Sequence, residues 1–159
     1  MQDERGMTIA MWLADEKKEI PAQWCHDPTI RGVDGMTVAM KLARYELKIP
    51  SQWEHDPTIQ DKFGKTVAMN LACNGLDIPT QWEHNPALCD TGGRTVAMHL
   101  GRNEKEIPRR WEHSATIQNK FGKTVAMILA CNGLDIPTQW YHDPTIHDDS
   151  GMTVAMLLA

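Results

Sequence analysis

The chain has 159 residues, 16 of them basic and 21 acidic, with a formal net charge of -5. That length suits one domain, and the bulk charge does not point to nucleic acid. No apolar run reaches the roughly 18 residues of a membrane-spanning helix. The opening MQDERGMTIAMWLADEKKE has no apolar stretch of the kind a signal peptide carries.

Phe and Tyr are scarce at two each, whereas Trp (six) and Met (ten) are abundant, which hints at a copied motif. The four cysteines, Cys25, Cys73, Cys89 and Cys131, form no CxxC pair. They read as reduced thiols in a cytoplasm-like compartment. Delivery of such a protein into a host cell is compatible with that reading.

A period of 29 residues runs through the chain. The glycine of a G-x-T motif recurs at Gly6, Gly35, Gly64, Gly93, Gly122 and Gly151. Trp24, Trp53, Trp82, Trp111 and Trp140 keep the same beat, as do His26, His55, His84, His113 and His142. Units therefore start near residues 3, 32, 61, 90, 119 and 148, giving five whole repeats and a sixth that stops after GMTVAMLLA. Of the 27 positions from Gln60 to Pro86, only four differ at Gln118 to Pro144, so a recent duplication of two repeats is the simplest origin. No linker interrupts the beat, and residues 1–159 read as a single domain.

Within a unit the elements follow in order. In the third, Thr66 can cap a helix over VAMNLA, whose apolar positions wrap most of the way round. A helix that apolar is buried between neighbours. Asn74-Gly75 stops it, with glycine supplying a left-handed cap. Ile78-Pro79 then opens a second, short helix, and Ile78 and Trp82 share one of its faces. Pro86 ends that helix near His84. Two such short helices cannot stand alone in water. Stacking is forced, and the expected product is an all-α solenoid of helix-turn-helix units.

The motif resembles the ankyrin repeat. That family opens its first helix with G-x-T-P-L-H-x-A-A, and this chain reads G-x-T-V-A-M-x-L-A, as in GKTVAMNLA from Gly64. DKFGKT at Asp61 to Thr66 is similar to the hairpin text of designed ankyrin repeat proteins. The likeness covers the whole chain, although the family unit has 33 residues and this one 29. The loss falls in the second helix, where Trp takes up volume that leucines would fill. The family's proline and histidine are replaced by Val and Met.

The resemblance implies a non-enzymatic protein that binds a macromolecule through its hairpin tips and concave face, an inhibitor or effector against a cellular machine. Carried over, the binding positions are Val33, Asp34, Met36, Arg44 and Tyr45 in the second repeat. In the third they are Lys62, Phe63, Lys65 and Asn74, with Cys73. The fourth offers Arg94, Arg102 and Asn103, and the fifth Lys120, Phe121, Lys123 and Asn132, with Cys131. Phe63 and Phe121 are the chain's only two phenylalanines, and both fall at tips. Even counting Asp61 and Asp90, the cations of the third to fifth repeats leave this front at +4. The back turns read WEHD, WEHN and WEHS. A basic front and an acidic back favour an acidic protein partner through steering.

Two other classes were weighed. Nucleic-acid binding by the basic front is the first, and a self-assembling scaffold is the second. In the latter, Met156, Leu157 and Leu158 pair two C-terminal ends into a homodimer. The histidine series is not read as a metal site, because stacked helices lie about 8–10 Å apart and zinc needs nitrogens near 2.0–2.1 Å. These histidines are expected to bond helix-end carbonyls or the next turn, and the tryptophans to lie in the core. No cofactor and no catalytic group are expected, since a solenoid spreads identical groups along a line instead of converging different ones.

Overall fold

The fold is described here from a computed structural model, which describes all residues except 1, 22, 80, 81, 83, 109, 110, 112 and 139. It is all-helical among the described residues. Six helices occur: α1 (Ile9–Asp15), α2 (Val38–Arg44), α3 (Val67–Cys73), α4 (Val96–Arg102), α5 (Val125–Cys131) and α6 (Val154–Leu157). The chain divides into two compact units, Met1–His84 and Asn85–Ala159. In the first, α1 packs on α2 and α2 on α3. In the second, α4 packs on α5 and α5 on α6.

Each helix starts where the sequence says it should. Thr66 is extended, and its hydroxyl oxygen accepts the Met69 N–H, satisfying one orphan donor of the first turn. Thr8, Thr37, Thr95, Thr124 and Thr153 do the same for their own helices. The ends are equally regular. Leu76 N–H reaches the Leu71 carbonyl at 3.0 Å and Gly75 N–H the Ala72 carbonyl at 3.1 Å, the two bonds of a Schellman cap. That cap needs a left-handed residue, and Gly75 (φ 67) and Gly133 (φ 65) supply it without strain.

Why so apolar a helix is stable is clearest at α2. Six of its seven residues are buried. Val38 and Leu42 face the cluster built from Met7, Met11, Ala14 and Trp53. Ala39, Met40 and Ala43 face the cluster that holds Val67, Leu71 and Trp82. The helix thus has a neighbour on either side, as its all-round apolarity requires. The methionine of each T-V-A-M or T-I-A-M is fully buried through α5: Met11, Met40, Met69, Met98 and Met127 are all 0 % exposed.

The second helix expected from Ile-Pro to His does not form where the segment is described. After Pro50 the chain makes one turn, closed by Trp53 N–H on the Pro50 carbonyl at 3.0 Å, and then runs extended. The same i to i+3 bond joins Trp24 to Pro21, Trp82 to Pro79, Trp111 to Pro108 and Trp140 to Pro137. One turn is enough to deliver the tryptophan. Trp53, Trp82, Trp111 and Trp140 are buried, while Trp24 is 39 % exposed.

His26 bonds the backbone at Glu54 in the next repeat's turn, as expected, and the histidine rings also pack on tryptophan. The His26 ring stacks on Trp53 with centroids 4.0 Å apart, His55 lies 3.8 Å from Trp82, and His113 lies 3.6 Å from Trp140. Each therefore covers the indole of the following repeat. Burial holds His26, His84 and His113 below the ordinary imidazole range, with Asp27 pulling His26 partly back up. The aspartates before proline are turn formers: Asp56 Oδ1 accepts the Thr58 N–H at 2.8 Å and its hydroxyl at 2.6 Å.

Candidate functional site: the tip turns and the helix ends

Each tip is a four-residue turn locked by its own Asp or Asn. At Asp61-Lys62-Phe63-Gly64, Gly64 N–H closes on the Asp61 carbonyl at 2.9 Å. The Asp61 carboxylate turns inward, is buried, and accepts the N–H groups of Phe63 and Lys65, each at 2.9 Å. Asn119 repeats this with Phe121 at 2.9 Å and Lys123 at 3.1 Å. An amide oxygen accepts as a carboxylate does, so the turn survives the change. Neighbouring tips are joined by backbone bonds. Lys62 N–H meets the Asp34 carbonyl at 3.1 Å in the first unit, and Lys120 N–H meets that of Gly92 at 2.9 Å in the second.

This locking leaves two residues of the third and fifth tips projecting. Phe63 and Phe121 are each 48 % exposed. Lys62 Nζ stands 5.1 Å from the Phe63 ring centre, and Lys120 stands 5.1 Å from that of Phe121. That distance lies within the range of a cation–π contact. Each tip thus presents a half-covered aromatic ring beside a cation.

The remaining expected binding residues divide into exposed and structural ones. Val33 and Arg44 are exposed, Tyr45 is half-buried, and Lys17 and Arg44 each lie 5.9 Å from its ring. Met36 is a correction: at 1 % exposure it belongs to the core between α2 and α3. The equivalent Lys65, Arg94 and Lys123 are half-buried. Asp34 is held as well, by Lys41 Nζ at 2.9 Å and by the Met36 N–H at 3.0 Å. Burial pushes its carboxyl up, but Lys41 and that N–H outweigh it and the net shift is down. The Asn74 amide donates to the carbonyls of Ala43 and Arg44 at the end of the preceding helix. Asn132 does so to Gly101 at 2.9 Å, and Asn103 bonds the His99 carbonyl of its own helix at 3.1 Å.

In the second unit a groove gathers four of the expected residues, Arg102, Phe121, Lys123 and Asn132. Asn119, Ile128, Cys131, Asp148, Asp149 and Ser150 complete its lining. Lys123 Nζ is 3.9 Å from the Asp148 carboxylate. Arg94 lies 4.0 Å from buried Asp90, so its charge is partly neutralised. The front is thus less positive than a count of lysines and arginines implies. On the back, Glu54 is exposed, and Glu83 and Glu112 lie outside the described residues. Met156 and Leu158 are 57 % and 60 % exposed, and Leu157 is half-buried.

The sequence reading missed three things. One is the ion triad in which Lys41, 4 % exposed, contacts Asp15 at 3.1 Å as well as Asp34. Another is the buried pair of His99 and Asp90 at 3.0 Å. The third is the approach of Lys65 to Cys73 and of Lys123 to Cys131, both 3.2 Å between nitrogen and sulfur. Part of the signal was present: in Asp34–Lys41, Asp90–His99, Lys65–Cys73 and Lys123–Cys131 one residue lies in or beside the tip and its partner in the helix that follows, whereas Asp15 reaches Lys41 from the end of the preceding helix. None of the four cysteines is in a disulfide. Among the described residues no helix is long and apolar enough to cross a membrane. No family model matches the chain, and no curated protein matches it by sequence.

Proposed function

We propose that the chain is an ankyrin-like, non-enzymatic binding protein that takes an acidic surface of another protein against its tip turns and helix ends. The observation that carries this reading is the pair of matched tips. A fully solvated loop gains nothing by holding a phenylalanine half out, whereas an interface gains an apolar anchor. The lysine beside each ring adds a rim charge that speeds encounter with an acidic partner. Met36, Asp34, Asn74 and Asn132 support the surface from beneath instead of touching the partner. The compartment that suits this reading is a reducing one such as the cytoplasm.

The test is capture from a lysate of the native host, with the parent and the Phe63→Ala, Phe121→Ala double variant run in parallel. A protein retained by the parent and lost by at least about tenfold, or about 1.4 kcal/mol, in the variant supports the tips. Retention unchanged by the variant refutes them. Capture of nucleic acid with a steep loss on adding salt would instead assign the basic front to phosphates.

A further inference from the structure

Two lysine–cysteine pairs stand outside that reading. Lys123 follows the fifth tip and Cys131 ends α5, yet Nζ and Sγ are 3.2 Å apart. The lysine side chain therefore reaches the far end of the seven-residue helix. Lys65 and Cys73 repeat the arrangement along α3, also at 3.2 Å. The pairing is not a general feature of the repeat. The same places hold Met36 and Arg44 in the second repeat, and Arg94 and Arg102 in the fourth. Cys131 is exposed and borders the groove that Arg102 and Phe121 line, whereas Cys73 is half-buried.

We infer that each pair is a self-acylation site for acyl thioesters, with sulfur reacting first and nitrogen second. The Cys131 thiol gives its proton to solvent, and Sγ attacks the thioester carbonyl. A new carbon–sulfur bond forms, the donor's carbon–sulfur bond breaks, and the donor leaves as a thiol. Nζ of Lys123, in its neutral form, then attacks the acyl carbon now carried on Sγ. The amide bond forms, the bond to Sγ breaks, and the amine proton returns to sulfur. Thioester and amine become amide and thiol, with no oxidant or reductant required. The second step is intramolecular between atoms already at reacting distance, which is where proximity gives its largest advantage. Arg102 in the adjoining groove favours a thioester on an anionic carrier such as coenzyme A. Amide formation erases the lysine charge, so the modification would also neutralise part of the basic front.

The experiment incubates the full chain with acetyl-coenzyme A at mildly alkaline pH and follows each lysine by peptide mass spectrometry. Lys62 and Lys120 are internal controls, being exposed and set over the Phe63 and Phe121 rings. Lys123 is expected to acylate at least about tenfold faster than Lys120, and Lys65 faster than Lys62. Cys131→Ser should bring Lys123 down to the Lys120 rate and leave Lys65 as it was. Lys123→Arg should leave an acetyl group trapped on Cys131 that hydroxylamine removes. Equal rates at all four lysines, or a Lys123 rate indifferent to Cys131→Ser, overturns the inference. Circular dichroism shows that the variants are folded, so a rate change cannot be read as unfolding.

Discussion

The two units solve one packing problem with different chemistry. In both, the sixth residue after the G-x-T glycine lies in the following helix, and from the second repeat to the fifth it is buried, as Lys41, Asn70, His99 and Ile128. The first unit places Lys41 there, 2.9 Å from Asp34, and in its first helix Trp12, whose indole N–H donates to Asp3 at 3.2 Å. The second unit places His99 there, 3.0 Å from Asp90. At its next helix it places Ile128, and there the tip acid has become Asn119. Cation meets carboxylate at Asp34–Lys41 and at Asp90–His99. The third repeat keeps buried Asp61 but sets Asn70 at the cation's place, where its amide donates to the Thr66 carbonyl at 3.1 Å. The fifth repeat, with Asn119 and Ile128, carries neither charge. A buried group is tolerated when its partner is buried with it.

The most direct way to break that comparison is to carry half of the first unit's solution into the second. Ile128 is 5 % exposed and Asn119 is 7 % exposed. Ile128→Lys should cost about 3–5 kcal/mol, the penalty of a buried charge without its counter-charge. Adding Asn119→Asp should recover most of the loss. Urea melts of the parent, the single and the double variant measure both. A lysine tolerated alone, or an aspartate that rescues nothing, would show that the matched pairs are coincidental.

What the units share can be sharpened in the same way. Trp53 in the first unit and Trp140 in the second are buried at 5 % and 8 %, each under a histidine ring. Either Trp→Ala change should cost about 3–5 kcal/mol, as large-to-small core changes do. Trp24→Ala, at an exposed tryptophan, should cost clearly less. Three equal losses in urea melts would mean that the histidine stack contributes nothing to the difference.

These cases also show how far the sequence could be read. The period, the threonine caps, the glycine caps and the buried methionines follow from local rules that hold residue by residue. Ile78 and Trp82 suggested a second helix because residues four apart share a helical face. Face-sharing, however, does not require the hydrogen bonds to continue, and the described segment after Pro50 stops at one turn. At the candidate site the projecting Phe63 and Phe121 were legible, since a tip turn leaves little room beneath it. Met36 was not, because its burial depends on the core cluster of the next helix. Nor was Asn74, whose amide bonds a carbonyl 31 residues away in the chain. Pairings over such separations are tertiary and leave no local pattern.

A smaller effect separates the units on acidification. Burial lowers both His26 and His113 from an ordinary value near 6.5. Such a histidine binds fewer protons folded than unfolded. Its contribution is therefore complete above about 6.5 and is lost as pH falls from there toward the lowered folded value. Asp27 opposes the shift at His26, whereas the residue that follows His113 is the uncharged Ser114. Ser114→Asp should accordingly reduce the stability lost between neutral and mildly acidic pH, measured by melting temperature across that range. A pH profile identical to the parent's would mean that His113 is not limiting.

The smallest expected effect lies at the helix ends, and there the comparison runs between repeats within each unit. The left-handed cap position is glycine at Gly75 and Gly133, but Lys17, Glu46 and Glu104 occupy it elsewhere with φ of 54, 59 and 54. The cap bonds are the same in kind: Leu47 N–H reaches the Leu42 carbonyl at 2.8 Å, and Lys105 reaches Leu100 at 3.0 Å. The backbone geometry is therefore held in all five, and only the side chain's steric cost differs. That cost comes from Cβ against the neighbouring carbonyl, and it is about 1–2 kcal/mol for an L-residue in the left-handed region. Glycine removes it but returns some backbone freedom to the unfolded chain, worth roughly 0.5–1 kcal/mol. Glu46→Gly in the first unit and Glu104→Gly in the second should each therefore stabilise by about 0.5–1 kcal/mol. The reverse change, Gly75→Glu, should destabilise by a similar amount. Because the cost is set by one φ angle and not by the neighbouring chemistry, the two units should respond alike. A gain in one and a loss in the other would show that the Glu46 or Glu104 side chain makes a contact worth more than the strain it imposes.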